Sequence, residues 1–455
     1  MGISQSPARS CFEKLVSVTS PITGAELHPL LSEVFQSLTR QQVRWCLLRE
    51  DGGLASPGSD VDVLLDPADL RHARSILSEL GFVHLPAWGR GPHLFWLTYD
   101  RDNDMWIKLD VVTGLTFGPL HEFESSAAGA CLSRRRRHGP VATLEADDAF
   151  WTLLLHCLLD KGTFPPAHRA RLQDLAQTAR AHGAMGRLVE RMAPDGWGAN
   201  RILALVEGGD WDSLDRLSPL LASSWKDRQR MGAWWLRRLL NRVLRRLTRL
   251  LLLRRRGMSV ALIAPDGAGK STLAEGLKRS SYFPSVYVYM GLGPASGTRS
   301  RYRVSAFGLA RLFRQWRRYL TGRYHQLRGR LVIFDRYIYD ALLPPARQMS
   351  LLRRMRRWLL GRLVPSPDLV LLLDAPAEIL HRRKREYGVA VLAERRQQYL
   401  RLEGRIANLA VLDASRDQEE VLREATSLIW RAYARRLTGR RDGRSGTPRA
   451  QLPPQ

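Results

Sequence analysis

Residues 257–273 read GMSVALIAPDGAGKSTL and contain the glycines, lysine and serine that point most clearly to chemistry. In a loop of this composition, backbone N–H groups can converge on phosphate oxygens if no Cβ atom blocks them, and Gly267 and Gly269 meet that requirement. Lys270 would add positive charge at the β- and γ-phosphates, and the Ser271 hydroxyl is a suitable ligand for Mg²⁺. The stretch predicts a loop that binds the phosphates of a nucleotide. The alternative is an ordinary turn between a strand and a helix.

The flanking residues supply the elements that would position this loop. Residues 258–264, MSVALIA, form an apolar run that predicts a buried parallel strand, and residues 271–279 have helical periodicity. The amino end of that helix would add a favourable dipole at the phosphates. Ala264 replaces the first glycine of the G-x-x-x-x-G-K-[ST] pattern, which costs little if the position needs no positive φ. The residues predicted to contact the nucleotide are Asp266, Gly267, Ala268, Gly269, Lys270, Ser271 and Thr272.

Charged residues follow two further apolar runs. Residues 331–340, LVIFDRYIYD, predict a buried strand that ends at Asp335 and is followed by Arg336. Parallel sheets bind ligands at the carboxyl ends of their strands, so Asp335 is expected to hold a metal ion or its water. Arg336 can bind a phosphate with two hydrogen bonds. Residues 367–376, PDLVLLLDAP, predict a second such strand. The arginines predicted to neutralise a transferred group are Arg382, Arg383 and Arg385, with a solvated helix face as the alternative for each.

These motifs resemble those of thymidylate kinases, in the family order and over residues 257–437 of the 455. APDGAGKST is similar to the family's D-G-x-G-K-[ST] loop, and the Asp-Arg-Tyr at 335–337 to its D-R-[YF] motif. AEILHRRKREYG at 377–388 resembles the mobile lid that carries arginines, and NLAVLDASRDQEEVLREA at 408–425 the closing strand, base-side loop and last helix. The resemblance implies an α/β fold with a parallel sheet flanked by helices, and ATP and Mg²⁺ as cofactors. It also implies transfer of the γ-phosphoryl group of ATP to a small phosphorylated acceptor, most simply dTMP.

A second acidic motif lies at 43–66, which read VRWCLLREDGGLASPGSDVDVLLD. Asp60 and Asp62 would share one face of a strand, where two carboxylates repel unless a cation lies between them. A divalent metal carrying a triphosphate would satisfy that pair. The Gly-Ser dipeptide followed by D-x-D resembles nucleotidyltransferases of the DNA polymerase-β type. The resemblance adds Asp110, in MWIKLDVVTG, as a third metal-binding carboxylate.

This half of the chain is expected to be an α+β nucleotidyltransferase-like domain with a helical cap. The cap helices, which include His156, Asp160 and Lys161, would cover an acceptor. The alternatives are a domain that keeps the fold without the activity, and aspartates that only cap a surface strand. The predicted domains are 1–145 (nucleotidyltransferase-like), 146–224 (helical cap), 225–256 (basic amphipathic linker helix), 257–437 (P-loop thymidylate kinase-like) and 438–455 (disordered basic tail).

The chain is strongly basic, with 71 Lys and Arg residues against 44 acidic ones and a formal net charge of +27. Such a surface attracts nucleotides, nucleic acid or anionic lipid, and charge alone does not decide among them. The stretch 225–256 has leucines at helical spacing between its arginines, as in a helix that lies on an anionic membrane; a packed linker helix is the alternative. Nucleic acid is the less favoured partner, and a homodimer is compatible with the sequence.

Several features predict where the protein works. No run approaches the roughly 20 apolar residues that a membrane span requires, and residues 1–15 lack the apolar core of a secretory signal. The four cysteines are scattered without a C-x-x-C pair, which favours reduced thiols. We therefore expect a cytoplasmic protein, peripheral to the membrane if the basic helix binds lipid.

Two other functions stay open at the level of sequence. The carboxyl-terminal half could phosphorylate another small acceptor, a sugar or a nucleoside, in surface-polysaccharide or specialised metabolism. It could also be a non-catalytic nucleotide-binding switch that docks on membrane or nucleic acid through 225–256. The presence of Lys270, Ser271, Asp335 and Arg336 together favours an enzyme, because a pure binder needs fewer of them.

Overall fold

The computed structural model describes residues 27–49, 53–85, 92–229, 236, 239–240, 243, 257–291, 308–344 and 364–438. The chain divides into two compact units, one made of most of residues 1–244 and the other of residues 245–455 together with Leu97–Trp106. Most of the basic stretch 225–256 and the predicted tail beyond Thr438 lie outside the described residues. So do residues 292–307.

Residues 27–229 contain a mixed sheet. The strands of this region are β1 (Trp45–Leu47), β2 (Val61–Leu65), β3 (Val83–His84), β4 (His93–Asp100), β5 (Met105–Val112), β6 (Thr116–Phe117), β7 (Phe123–Glu124), β8 (Arg136–His138) and β9 (Val141–Thr143). Strands β6 and β7 form a separate two-stranded ribbon. The seven-stranded sheet has the order β3-β4-β5-β2-β1-β9-β8. Strands β1 and β2 are antiparallel, whereas β2 and β5 are parallel with Asp62 directly opposite Asp110. This register brings two of the three predicted carboxylates onto neighbouring strands.

Helices precede, interrupt and follow these strands. They are α1 (Pro29–Arg40), α2 (Leu70–Glu79), α3 (Ala128–Arg134), α4 (Ala146–Leu155), α5 (Pro166–Ala176), α6 (Ala184–Met192), α7 (Ala199–Glu207) and α8 (Trp211–Arg228). Helix α4 is anchored by Phe150 and Trp151, which are fully buried. It continues into a π-helical turn, His156–Lys161, that ends at Gly162 with a φ of 64°. Glycine suits this left-handed position, where a side chain would be strained.

The second unit contains a parallel sheet of five strands in the order β11-β12-β10-β13-β14. The strands are β10 (Met258–Ile263), β11 (Ser285–Tyr289), β12 (Leu331–Asp335), β13 (Leu369–Asp374) and β14 (Leu409–Asp413). The helices are α9 (Lys270–Ser280), α10 (Gly308–Leu327), α11 (Ala377–Arg383), α12 (Val389–Leu400) and α13 (Gln418–Thr438), with a 3₁₀ turn at Ile338–Ala341. The predicted parallel sheet flanked by helices is confirmed.

The central strands are apolar because both faces of this sheet are covered. Every residue of β10 and β12 is buried, and in β13 only Asp374 is partly exposed. Unbroken aliphatic runs of this kind are typical of parallel strands. Strand β10 pairs with β12 on one side and β13 on the other, so the loop after Ile263 and the carboxylate of Asp335 lie at the same edge of the sheet.

The longest helices of the described residues are α10, with 20 residues, and α13, with 21. Both carry several arginines along their length. None of the described helices combines the length and the apolar character that crossing a membrane requires.

Candidate functional site

The loop between β10 and α9 depends on two glycines in the left-handed region. Gly267 has a φ of 90° and Gly269 a φ of 88°. A Cβ atom on Gly267 would lie 2.7 Å from the carbonyl oxygen of Leu380, whereas one on Gly269 would meet no atom within 4 Å. Ala264 does not have a positive φ, so the alanine that replaces the first motif glycine is not strained there. Backbone geometry therefore accounts both for the glycines present and for the one that is missing.

Lys270 begins helix α9 and is buried, with an exposed fraction of 8%. Its Nζ donates to the carbonyl oxygens of Ala264, at 2.9 Å, and Pro265, at 2.8 Å. Burial lowers its pKa to about 8, although nearby Asp266 opposes that shift. The ammonium group of Lys270 is thus hydrogen-bonded to its own loop, at the position where a phosphate would bind.

Arg336 reaches the same loop from the end of β12. Its Nη2 donates to Oδ1 of Asp266 at 2.7 Å, and Nζ of Lys270 is 4.0 Å from that oxygen. The backbone of Arg336 has a φ of 61°, a left-handed conformation that is uncommon for a residue with a side chain. Its N–H donates to the carbonyl oxygen of Leu262 at 3.0 Å, which holds the turn in place. Lys270 and Arg336 therefore approach the same carboxylate, that of Asp266, rather than lying on opposite sides of the unit.

Asp335 is the last residue of β12 and directly precedes Arg336. Its Oδ2 accepts a hydrogen bond from the hydroxyl of Tyr287, on neighbouring β11. Its Oδ1 is buried and has no hydrogen-bond partner within the described part of the chain. An unpartnered buried carboxylate oxygen is unfavourable, and carboxylate oxygens are preferred ligands of Mg²⁺. Ser271, the other predicted metal ligand, is exposed one residue into α9. Both side chains are of types that Mg²⁺ accepts as ligands.

A second carboxylate lies next to Arg336 on its other side. Oδ2 of Asp340 is 3.9 Å from Nη1 of Arg336, and Oδ1 accepts from the hydroxyl of Tyr399 at 2.9 Å. Burial raises the pKa of Asp340, an effect that the Tyr399 hydrogen bond and Arg336 oppose. Arg336 is consequently held between Asp266 and Asp340.

The predicted lid arginines occupy different environments. Arg383, at the end of α11, donates to the carbonyl oxygen of Ala414 at 2.8 Å. Arg382 and Arg385 are exposed. Helix α12 provides a further arginine, Arg396, whose Nε and Nη2 bind the two oxygens of Asp374 at 2.7 and 2.8 Å. Arg383 also lines a cavity.

That cavity has a volume of about 200 Å³ and lies beside the glycine loop. Arg416, on its rim, is paired with Asp413 and Glu420, each at 3.2 Å. The predicted nucleotide-contacting residues Ala268, Gly269 and Thr272 therefore share a cavity with the segment predicted to lie at the base. The lining residues are Ala268, Gly269, Thr272, Leu273, Gly276, Leu373, Arg383, Ala414, Arg416, Gln418, Val421 and Leu422.

Sequence reasoning missed four side chains of this site. Asp340 carried a detectable signal, because it follows Arg336 by four residues in the same motif. Tyr287 carried a weaker signal. The alternation in SVYVY predicts a strand but does not indicate which strand lies next to it. Tyr399 and Arg395, whose Nη1 is 3.6 Å from Oδ2 of Asp266, lie on α12 and carried none.

The three predicted carboxylates of the first unit each face a basic side chain. Asp60 precedes β2 instead of lying within it, and accepts a hydrogen bond from Lys108. Asp62 is 3.3 Å from Nη2 of Arg49.

Asp110 is the most buried of the three. Its Oδ2 is 2.8 Å from Nδ1 of His93. Its Oδ1 is buried and lacks a hydrogen-bond partner among the described residues. Over the described ranges, no group of three or more His, Cys, Asp or Glu side chains is arranged to hold a metal ion. Asp62 and Asp110 lie directly opposite each other in the register of β2 and β5.

Comparisons with known proteins add little to this geometry. No protein-family model matches the chain, and neither does any curated protein. A solved structure of a thymidylate kinase from Candida albicans is similar, with 20% sequence identity and a TM-score of 0.32, over 39% of this chain and 93% of that one. The similarity is weak, so the function of this chain has to be argued from its own residues.

Proposed function

We propose that residues 257–438 form an ATP-dependent kinase that transfers the γ-phosphoryl group to a small phosphorylated acceptor, most simply converting dTMP to dTDP. The observation that carries the proposal is the meeting of Lys270 and Arg336 at one carboxylate, Asp266, at the carboxyl edge of a parallel sheet. Phosphoryl transfer depends chiefly on positioning and on neutralising charge. A lysine at the start of α9 and an arginine after β12, both within 4.0 Å of Asp266, would serve both purposes.

The donor would bind at the glycine loop. Amides of residues 267–271 would contact its phosphates, with Gly267 and Gly269 giving the backbone its left-handed turns. The cavity of about 200 Å³ beside Thr272 would receive the base side of the nucleotide. Lys270 would exchange the carbonyl oxygens of its own loop for phosphate oxygens.

Ser271 and Asp335 would hold Mg²⁺, which would neutralise phosphate charge when bound. The free, buried Oδ1 of Asp335 supports this role. Arg336 would bind the phosphate of the acceptor, and Asp266 would release its guanidinium to do so. Arg383 is the lid arginine best placed beside the donor, because it already lines the cavity.

The central experiment removes the charge of Lys270 while keeping its bulk. Lys270→Met should lower kcat for ADP formation from ATP and dTMP by about 100-fold or more. Lys278→Met is the matched control, since Lys278 is exposed on the same helix. Turnover by Lys270→Met equal to that of the wild type would overturn the proposal.

The acceptor is tested separately with labelled ATP. A panel of dTMP, other nucleoside monophosphates, nucleosides and sugars should show phosphorylation of dTMP first. If dTMP is inert while a sugar or nucleoside is phosphorylated, the kinase has the other acceptor class that the sequence left open. Binding of ATP without turnover of any acceptor would instead indicate a nucleotide switch.

A further inference from the structure

Helix α10 carries three of its large apolar side chains on a face that is open to solvent. Phe313, Leu320 and Tyr324 have exposed fractions of 74%, 55% and 54%. Residues seven and four positions apart lie on one side of a helix, so these three form a single row, which we call the α10 stripe. An aligned row of exposed apolar side chains is typical of a surface that binds a partner.

The opposite face of α10 is held against the sheet by small and polar residues. Gln315 and Gln326 are almost fully buried, and Gly322 is buried as well. A Cβ atom on Gly322 would lie 2.5 Å from the ring of Phe334 on β12, so helix and strand approach closely at that point. Nε2 of Gln315 donates to the carbonyl oxygen of Gly291 at 3.3 Å. These contacts fix the rotation of the helix about its axis, and the α10 stripe therefore points outward as a result of the packing.

The α10 stripe lies in a part of the chain that has no acidic residue. No Asp or Glu occurs from residue 276 to residue 334. On the described part of this helix and directly after it, the exposed charged side chains are those of Arg314, Arg317, Arg323 and Arg328. The outer face of α10 therefore combines apolar groups with positive charge and offers no negative charge.

Arg328, just after α10, keeps a positive charge that no carboxylate of this segment cancels. Its Nη1 donates to the hydroxyl of Tyr324 at 2.7 Å, which is a neutral acceptor. Burial lowers the pKa of His325, and the positive charges of Arg330 and Arg328 lower it further. Positive charge thus dominates along this part of the helix, and an anionic partner would bind there favourably.

Three kinds of partner could cover this face, and its chemistry favours one of them. A second copy of the chain, related by a two-fold axis, would place the arginines of one α10 against those of the other. A nucleic acid would pair with the arginines, and its bases could stack on Phe313 and Tyr324, but Leu320 between them would gain no stacking partner. An anionic lipid surface provides phosphate groups for the arginines and hydrocarbon for the whole stripe.

We propose that the outer face of α10 binds the surface of an anionic lipid membrane. The α10 stripe enters the boundary between headgroups and acyl chains, and the flanking arginines remain among the phosphate groups. Tyr324, with an apolar ring and a polar hydroxyl, suits this boundary. The contact is peripheral, because none of the described helices has the length and apolar character for crossing a membrane. The inference is independent of the kinase proposed for residues 257–438, and it concerns a different surface from the basic stretch 225–256.

The test measures how the full chain sediments with lipid vesicles. Vesicles of phosphatidylcholine alone are compared with vesicles in which about a third of the lipid is phosphatidylserine. We expect binding to the anionic vesicles that weakens as salt rises, and little binding to the neutral ones. The stripe variant, Phe313→Ser/Leu320→Ser/Tyr324→Ser, should have a partition coefficient for anionic vesicles that is about tenfold lower or more, because less apolar area leaves water.

The matched control is Val391→Ser/Val411→Ser, which removes apolar side chains of the same unit that are 45% and 37% exposed. It should bind anionic vesicles as the wild type does. Both variants alter exposed positions, so their melting temperatures should stay close to that of the wild type. Arg314→Gln/Arg317→Gln keeps the stripe and tests the charge. Each arginine should contribute about fivefold, so the affinity for anionic vesicles should fall about 25-fold.

Three results would overturn the proposal. The first is a wild type that does not bind anionic vesicles. The second is a stripe variant that binds them as well as the wild type, because the lipid would then contact other basic residues, such as those of 225–256. The third is a stripe variant that keeps vesicle binding but loses self-association or binding of a single-stranded oligonucleotide. In that case the face binds a second copy or a nucleic acid instead of a membrane.

A fluorescent probe locates the contact directly. The cysteines of the described residues are buried, so Phe313→Cys in a Cys11→Ser background offers one accessible labelling position on the stripe. The emission of a polarity-sensitive label there should shift to shorter wavelength when anionic vesicles are added. The same label introduced through Val391→Cys should not shift. A shift at position 391 with none at position 313 would place the lipid on another surface and refute the proposal.

Discussion

Arg336 and Asp266 are joined across the carboxyl ends of β12 and β10, with Nη2 of the arginine 2.7 Å from Oδ1 of the aspartate. Oδ1 of Asp266 is also 4.0 Å from Nζ of Lys270, and Oδ2 of Asp266 is 3.6 Å from Nη1 of Arg395. One carboxylate of the glycine loop thus lies among three cations. A bound polyphosphate would compete with Asp266 for each of these cations. We therefore expect Asp266 to affect both the stability of this loop and its affinity for anions.

Removing the carboxylate of Asp266 should make the stability of the second unit depend on bound anions. Asp266→Ala leaves three cations close together, and we expect its unfolding free energy to fall by about 1–2 kcal/mol, since the pair is only partly buried. Added sulfate should recover more of the melting temperature in the variant than in the wild type. Asp174→Asn, which removes an exposed pair with Arg171, serves as the control and should change neither quantity. Equal sulfate responses would contradict this account.

The pH dependence of polyphosphate binding should report on Lys270. Its pKa is lowered to about 8 by burial. A bound anion favours the ammonium form, so binding above pH 8 requires proton uptake. The affinity should therefore weaken as pH rises from 8 to 10, by at most about tenfold per pH unit. Calorimetry of ADP binding in buffers of different ionisation enthalpy measures this uptake. Lys270→Arg, which stays charged, should lose it.

Tyr287 should control the metal requirement through Asp335. Its hydroxyl donates to Oδ2 and leaves Oδ1 for a cation. In Tyr287→Phe the Oδ2 atom of Asp335 loses its donor and the carboxylate is no longer oriented, so the Mg²⁺ concentration for half-maximal turnover should rise about tenfold or more, as when partners of metal-binding carboxylates are removed. Tyr289→Phe, on the same strand, is the comparison. If both variants reach half-maximal turnover at the same Mg²⁺ concentration as the wild type, Tyr287 does not position Asp335.

The two loop glycines should differ in their tolerance of a methyl group. Gly269→Ala meets no atom but keeps a φ of 88°, so its cost should be about 1–2 kcal/mol of unfolding free energy. Gly267→Ala adds a contact of 2.7 Å with Leu380 and should cost more. Thermal unfolding measures the order of stability of the variants, and ADP formation measures the order of their activity. Gly388→Ala, which has open space and no positive φ, should behave as the wild type. A Gly267→Ala variant more stable than Gly269→Ala would contradict the geometry.

The sequence alone was enough for the parts of the second unit that depend on neighbours along the chain. Apolar runs predicted the buried strands β10, β12 and β13, because full burial on both faces leaves a local pattern. The strand–loop–helix order around Lys270 also follows from local chemistry. In the first unit, the same reasoning placed Asp60 inside a strand, whereas β2 begins at Val61.

Only the tertiary structure decided which side chains meet. Arg336 is separated from Asp266 by 70 residues, and Tyr399 from Asp340 by 59. Those contacts depend on strand order and on how helix α12 packs, neither of which leaves a periodic signal in the chain. Residue types thus indicated phosphate chemistry, and long-range packing determined which groups are left free to perform it.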